Sequence, residues 1–133
     1  MIKAIIFDLD NTLLDFVKMK RFAVRAAVTA MNEAGLGVDE KKAFDDIFDL
    51  YLNKGWEHQQ VFDDYLQQTT GKVSNKVLAA GIVSYRRARE ATLLVYPNVN
   101  KTLIELLKMG IKLAVVSDAP SREAWMRLYY LNL

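Results

Sequence analysis

Two short runs rich in apolar and β-branched residues stand at opposite ends of the chain and differ from everything between them. The first, residues 4–7, is wholly apolar, and the second, residues 111–116, contains a single lysine. Both runs end abruptly in polar residues. Runs of this length and composition, bounded by polar turn residues, are typical of strands buried on both faces of a sheet. The pattern therefore predicts one buried strand near each end of the chain.

Between the two strands the apolar positions recur at helical spacing almost throughout. We expect Asp39 to be the N-cap of the second helix, and we expect Phe22 and Leu52 to point into the helical core. Four consecutive helices with short connections favour an antiparallel bundle. The predicted helices span residues 18–34, 40–55, 56–68 and 74–92.

A further helix stands directly before the second strand, with Pro97 predicted in its first turn and Gly110 at its end. Strand, helix, strand is the pattern that makes two strands parallel neighbours. The predicted fold class is therefore α/β, with a partial parallel-sheet core formed by residues 1–15 and 95–133. Residues 16–94 are predicted to form an inserted helical cap domain above the carboxyl edge of the sheet.

Carboxylates follow the first strand immediately, at Asp8 and Asp10, and Ser117 and Asp118 follow the second. Two acids at the end of a buried strand are costly unless a cation or a hydrogen-bond network receives them. Hard divalent cations such as Mg²⁺ prefer carboxylate oxygens and commonly share them with a substrate phosphate. Two simpler interpretations stay open at this point: a solvated turn for the two aspartates, and an ordinary helix N-cap for Ser117-Asp118.

Composition narrows the classes of partner and compartment. The chain has 133 residues, 52% of them hydrophobic, and a formal net charge of +2, too near balance to indicate nucleic acid or an anionic membrane as a partner. It contains no cysteine, which excludes disulfides and thiolate metal sites. No signal peptide or bilayer-spanning segment is evident, so the expected location is cytoplasmic.

The motifs in this order resemble the haloacid dehalogenase superfamily of hydrolases, in the helical-cap subclass that includes phosphoglycolate phosphatase and β-phosphoglucomutase. The first motif of that family, an apolar strand followed by Asp-x-Asp-x-Thr, matches residues 7–13, and the second, a strand ending in Ser or Thr, matches residues 113–118. The resemblance implies a Rossmann-like core and covers essentially the whole chain. Within the family, the acid at Asp10 points to phosphate esters rather than to dehalogenation.

The resemblance also implies a role for each matched residue. Asp8 would be the nucleophile that forms an aspartyl-phosphate intermediate, and Asp10 the general acid and base. Mg²⁺ would be held by the Asp8 side chain and the Asp10 backbone carbonyl. Ser117 and the backbone N–H groups of Leu9 and Asp118 would bind phosphate oxygens, and Thr12 would brace the loop. The implied substrate is a small phosphorylated metabolite.

One departure from the family pattern is large. The family has a lysine and then an acidic pair after its second motif, whereas this chain has no lysine after Lys112 and only Glu123 as an acid after Asp118. We therefore expect the chain to represent the N-terminal portion of a longer hydrolase and to have little phosphatase activity alone. The alternative hypothesis is a non-catalytic fragment that self-associates through an exposed sheet edge and apolar surface.

Overall fold

The computed structural model describes all 133 residues, Met1 to Leu133, in two compact units. One unit comprises Met1–Met19 with Leu93–Leu133, and the other comprises Lys20–Thr92. The elements follow one another in the order β1 (Ala4–Phe7), α1 (Phe16–Glu33), α2 (Glu40–Lys54), α3 (Val61–Thr70), α4 (Asn75–Thr92), α5 (Val99–Lys108), β2 (Lys112–Val115) and α6 (Ser121–Leu131).

The two strands pair in parallel, as the strand–helix–strand pattern predicts. Ala4 is opposite Lys112 and Phe7 is opposite Val115, so both strands end at the same level of the sheet. The helix α5 lies between them in sequence and packs against β2. This register places the loops that follow β1 and β2 at one common edge.

The prediction that both strands are buried on both faces was wrong. Ile5 and Phe7 are half-buried, whereas Ile6 is 67% and Val115 37% exposed. The sheet has only two strands, so each strand has a free edge. Burial that alternates along β1 indicates that only one of the two faces is covered, because successive side chains point to opposite faces.

The loop after β1 is a tightly hydrogen-bonded turn over a buried leucine. The Leu9 carbonyl accepts hydrogen bonds from the N–H groups of Thr12, at 3.3 Å, and Leu13, at 2.9 Å. Leu9 and Leu14 are completely buried. Asn11 adopts a left-handed conformation with φ 62°, which asparagine tolerates better than most residues, and its side chain accepts a hydrogen bond from the Val17 N–H. The turn therefore holds the carboxylates before and after Leu9 in fixed positions.

A separate hydrophobic core lies inside the Lys20–Thr92 unit. Asp39 is the N-cap of α2, as predicted, and its Oδ2 accepts a hydrogen bond from the Lys42 N–H at 2.9 Å. Residues from all four helices of this unit form the core: Ala23, Val24, Ala27, Val28, Met31, Ala43, Ile47, Leu50, Tyr51, Val61, Phe62, Tyr65, Leu66, Val77 and Tyr85.

Four details of the helix predictions were wrong. Phe22 is 44% and Leu52 66% exposed, because the continuous apolar stripe of each helix runs beside these positions rather than through them. The third helix begins at Val61, not at residue 56. Pro97 lies outside α5, which begins at Val99 after an Asn98 cap with φ 67°. None of these differences moves the strands or their edge.

A lysine is buried in the helical unit. Lys20 is 5% exposed, and its ammonium donates hydrogen bonds to the Trp56 carbonyl at 2.8 Å and to the Tyr85 hydroxyl at 2.6 Å. The same nitrogen lies 4.2 Å from the centre of the Tyr51 ring, a cation–π distance. Burial raises the pKa of Tyr51 above its ordinary value. None of the helices has the length and apolar character needed to cross a membrane.

Candidate active site at the carboxyl edge of the sheet

The carboxyl ends of β1 and β2 meet at one edge, and the predicted site residues follow both strands there. Pairing continues one residue past β2, because the Val116 N–H donates to the Phe7 carbonyl at 2.9 Å. Asp8 then follows β1, and Ser117 follows Val116. In open α/β sheets the carboxyl edge is where ligands bind. The fold thus brings the two predicted motifs to the same edge from positions far apart in sequence.

Asp8 is an exposed carboxylate at this edge. Its Oδ2 accepts a hydrogen bond from the Thr12 hydroxyl, with 3.1 Å between the two oxygens. A hydroxyl donor orients a carboxylate without adding a charge. The Asp8 carboxylate is therefore held in a position that solvent, a metal ion or a substrate can reach.

Asp10 has a different environment from Asp8. Its side chain is 23% exposed, and its Oδ2 accepts a hydrogen bond from Nη1 of Arg127 at 3.1 Å. Arg127 comes from α6 and is itself only 7% exposed. Its guanidinium carbon lies 4.9 Å from the centre of the Phe16 ring. Two carboxylates two residues apart thus have distinct partners: a neutral hydroxyl for Asp8 and a buried cation for Asp10.

The remaining predicted residues lie on the two loops. Leu9 is completely buried as a whole residue, side chain and backbone together. The Ser117 Oγ is half-buried and accepts a hydrogen bond from the Ala119 N–H at 3.1 Å, while a hydroxyl can also donate one hydrogen bond. Pro120, not Ser117 or Asp118, occupies the N-cap position of α6. The simple N-cap interpretation of Ser117-Asp118 therefore does not hold.

The groups at this edge that could bind a metal ion are few, and they are hard oxygen ligands. No group of three or more His, Cys, Asp or Glu side chains is arranged to hold a metal ion. Mg²⁺, however, is usually held by one or two carboxylates and completes its shell with waters and substrate phosphate. The exposed Asp8 carboxylate fits that mode of binding, together with the Asp10 backbone carbonyl that the resemblance implies as the second ligand.

The sequence interpretation missed Arg127. On α6, Arg127 falls in the same stripe as Ala124, Leu128 and Leu131, at helical spacings of three and four residues. An arginine inside an otherwise apolar stripe is a signal of a buried cation, because long charged side chains are rarely buried without a partner. That signal could have identified Arg127, although the stripe could not have named its partner.

Comparison with known proteins places the geometry in context. A family model described as haloacid dehalogenase-like hydrolase matches residues 2–133. A glyceraldehyde 3-phosphate phosphatase of Methanocaldococcus jannaschii is 37% identical over 133 residues, which are 100% of this chain and 58% of that protein. One of Methanopyrus kandleri with the same name is 35% identical over 135 residues, again 100% of this chain and 58% of the relative.

Solved structures show the same fold. The crystal structure of a haloacid dehalogenase family hydrolase from Deinococcus radiodurans, with bound phosphate and sodium, superimposes with a TM-score of 0.58 at 18% identity and covers 99% of this chain and 53% of that one. The predicted α/β fold class of this family is thereby confirmed. The chain spans about 58% of the length of the curated relatives it matches.

Proposed function

This chain belongs to the haloacid dehalogenase-like hydrolases, and on that premise we propose that its carboxyl edge carries the aspartate machinery of a Mg²⁺-dependent phosphomonoesterase. The observation that supports this most is that Asp8 and Asp10 lie in different surroundings. The exposed carboxylate accepts a hydrogen bond from a neutral donor, the Thr12 hydroxyl, whereas the half-buried one accepts a hydrogen bond from a buried arginine. A nucleophile and a general acid–base need such different surroundings.

The proposed chemistry has two steps. An Asp8 oxygen attacks phosphorus, the bond from phosphorus to the ester oxygen breaks, and an aspartyl phosphate forms while Asp10 gives a proton to the departing oxygen. In the second step Asp10 accepts a proton from water, whose oxygen attacks the same phosphorus and releases phosphate and free Asp8. Splitting one difficult displacement in this way lowers each barrier.

Three further groups are proposed to bind the phosphate. The Ser117 hydroxyl donates to one phosphate oxygen, and the backbone N–H groups of Leu9 and Asp118 donate to others, where they stabilise the charge that develops in transfer. Mg²⁺, when bound through the Asp8 carboxylate and the Asp10 carbonyl, would offset the charge repulsion between the phosphate and the carboxylate.

The helical part of the chain, predicted as residues 16–94, is proposed to be the cap domain that selects the substrate. The proposed substrate class is a small phosphorylated metabolite. Glyceraldehyde 3-phosphate is the first compound to test, because the two relatives described above are named for it. Since no lysine follows Lys112 and Glu123 is the only acid after Asp118, we propose that this chain turns substrate over very slowly or not at all.

The decisive experiment separates the first chemical step from turnover. The chain is incubated with Mg²⁺ and p-nitrophenyl phosphate, acyl phosphates are reduced with borohydride, and peptide mapping locates the resulting homoserine. We expect this label, the homoserine, at position 8 of the unmodified chain. We expect none in the Asp8→Asn variant and none when EDTA replaces Mg²⁺. Label elsewhere, or equal labelling of Asp8→Asn, would contradict the assignment of Asp8.

Self-association is the second candidate function, and the exposed apolar surface of the sheet-containing unit favours it. Val116 is 64%, Leu107 58% and Trp125 60% exposed, and an apolar groove of about 1010 Å³ lies between β2, α5 and α6. An unpaired strand edge beside such a surface is a template for another copy of the chain.

Light scattering over a concentration series tests this candidate. We expect dimers or larger species that the double variant Val116→Lys, Trp125→Lys converts to monomers. Leu52→Lys is the matched control, because Leu52 is 66% exposed in the other unit and should leave association unchanged. A monodisperse monomer of the unmodified chain at high concentration would exclude self-association.

A further inference from the structure

We infer that Arg127 is a positioning residue that fixes the carboxylate of Asp10 for proton transfer, an inference that rests on the proposed function. The pair joins positions 117 residues apart through a 3.1 Å contact between Nη1 and Oδ2. It ties α6, which follows the second motif, to the loop that carries the first motif. Neither motif contains Arg127.

The surroundings of Arg127 restrict its motion. The side chain is 9% exposed, and the guanidinium carbon lies 4.9 Å from the centre of the Phe16 ring. A planar guanidinium held against a ring and donating in its own plane is kept in one orientation, which a flexible ammonium would not achieve. The carboxylate that accepts its hydrogen bond is therefore held as well.

Fixed orientation matters more for Asp10 than for a purely structural partner. A general acid–base acts only when its oxygen lies within hydrogen-bond reach of the proton it transfers. The Leu9–Leu13 turn sets the backbone of Asp10, but a side chain on a loop can still rotate. Arg127 restricts the Asp10 side chain through the hydrogen bond from Nη1 to Oδ2.

A structural ion pair that only anchors α6 would have the same geometry, so the experiment must separate the two roles. The separation uses the leaving group. Formation of aspartyl phosphate from glycerol phosphate needs a proton on the departing alkoxide, whereas p-nitrophenolate departs without one. Loss of the positioning of Asp10 therefore slows the first substrate selectively, and loss of structure slows both.

The variants are Arg127→Met, Arg127→Lys and the control Arg122→Met, which removes an 82% exposed arginine of the same helix. We expect Arg127→Met to slow labelling of Asp8 by glycerol phosphate about 100-fold, at the lower end of general acid contributions, and to change labelling by p-nitrophenyl phosphate less than about threefold. Arg127→Lys should recover part of the loss, and Arg122→Met should show none. Equal losses with both substrates would overturn the inference.

A second measurement is independent of chemistry. Unfolding midpoints are compared for Arg127→Met, Asp10→Asn and the double variant. If Arg127 holds Asp10, the double variant is no less stable than the worse single variant, whereas additive losses would show that the two side chains are not coupled and overturn the inference. Absence of aspartyl phosphate at Asp8 in the unmodified chain with both substrates would contradict the proposed function, whereas additive losses of stability would contradict only the coupling of Arg127 to Asp10.

Discussion

The Thr12 hydroxyl donates to Oδ2 of Asp8 from four residues further along the chain, with 3.1 Å between the two oxygens. Both residues are exposed, and the turn between them is closed by hydrogen bonds to the Leu9 carbonyl. The hydroxyl thus orients the carboxylate that we propose as the nucleophile, without placing a second charge beside it.

Thr12→Val should weaken Asp8 as a nucleophile. Valine preserves the shape of threonine but removes the donor that orients the carboxylate, and an exposed hydrogen bond contributes about 1 kcal/mol, so we expect labelling of Asp8 to slow roughly fivefold. Thr12→Ser, which keeps the hydroxyl, should label at nearly the normal rate. The rate of borohydride-detected aspartyl phosphate is the measurement, and equal rates for the Thr12→Val chain and the unmodified chain would show that the contact is incidental.

Lys20→Met should destabilise the helical unit. The substitution leaves the Trp56 carbonyl and the buried Tyr85 hydroxyl without the donor they have in the chain. Loss of a hydrogen-bond donor inside a protein costs about 1–3 kcal/mol, partly offset here by the apolar methionine, so we expect a loss of about 2 kcal/mol in urea unfolding. Lys41→Met removes an exposed lysine of α2 and should stay within about 0.5 kcal/mol. A Lys20→Met chain as stable as the Lys41→Met chain would contradict the structural role of Lys20.

We expect the helical unit to lose stability in acid because Asp64 becomes protonated there. Two hydrogen bonds, both at 2.7 Å, hold the pKa of Asp64 below its ordinary value of 3.8. The one from Lys54 has the larger effect, and the one from His58 has the smaller. A lowered folded-state pKa gives stability that is fully present above the ordinary value and is lost as the pH falls through the folded-state value. Because the pair is partly exposed, the contribution is below about 1 kcal/mol.

The measurement for Asp64 compares urea unfolding of the unmodified chain and Asp64→Asn at neutral pH and in the acid range below 3.8. The unmodified chain should be the more stable at neutral pH, and the difference should shrink in acid. Asp63→Asn, at the preceding position of α3, is the control for loss of one carboxylate. A difference that is constant with pH would contradict the linkage.

Sequence patterns could predict local structure and the order of the elements, but not which face each element covers. Asp39 as a helix cap and the parallel pairing of β1 with β2 depend on short-range chemistry and on a connection rule, and both are found. Phe22 and Ile6 were expected to be buried and are exposed. Their burial depends on which neighbours exist, and a two-stranded sheet offers too few for Ile6.

The candidate site shows the same limit. Asp8, Asp10 and Ser117 could be proposed because each follows a strand, and strand ends are visible in the hydrophobic pattern. Arg127 could not be assigned to Asp10 because nothing in the sequence relates two side chains 117 residues apart. A pairing of that kind depends on how α6 packs against the loop, which only three-dimensional structure specifies.

Gly81→Ala should destabilise the chain although alanine is the better helix former. A Cβ at position 81 would lie 2.9 Å from both Cγ and Sδ of Met31, which is completely buried. Overpacking costs about 1–3 kcal/mol, whereas the gain in helix propensity is about 1 kcal/mol, so we expect a net loss near 1 kcal/mol in urea unfolding. Ala79→Gly, at an exposed position of the same helix, measures the propensity difference directly.

Combining Gly81→Ala with Met31→Ala should restore part of the stability that Met31→Ala loses alone, because the added methyl group occupies space that methionine vacated. A Gly81→Ala chain more stable than the unmodified one would show that Met31 moves aside without cost.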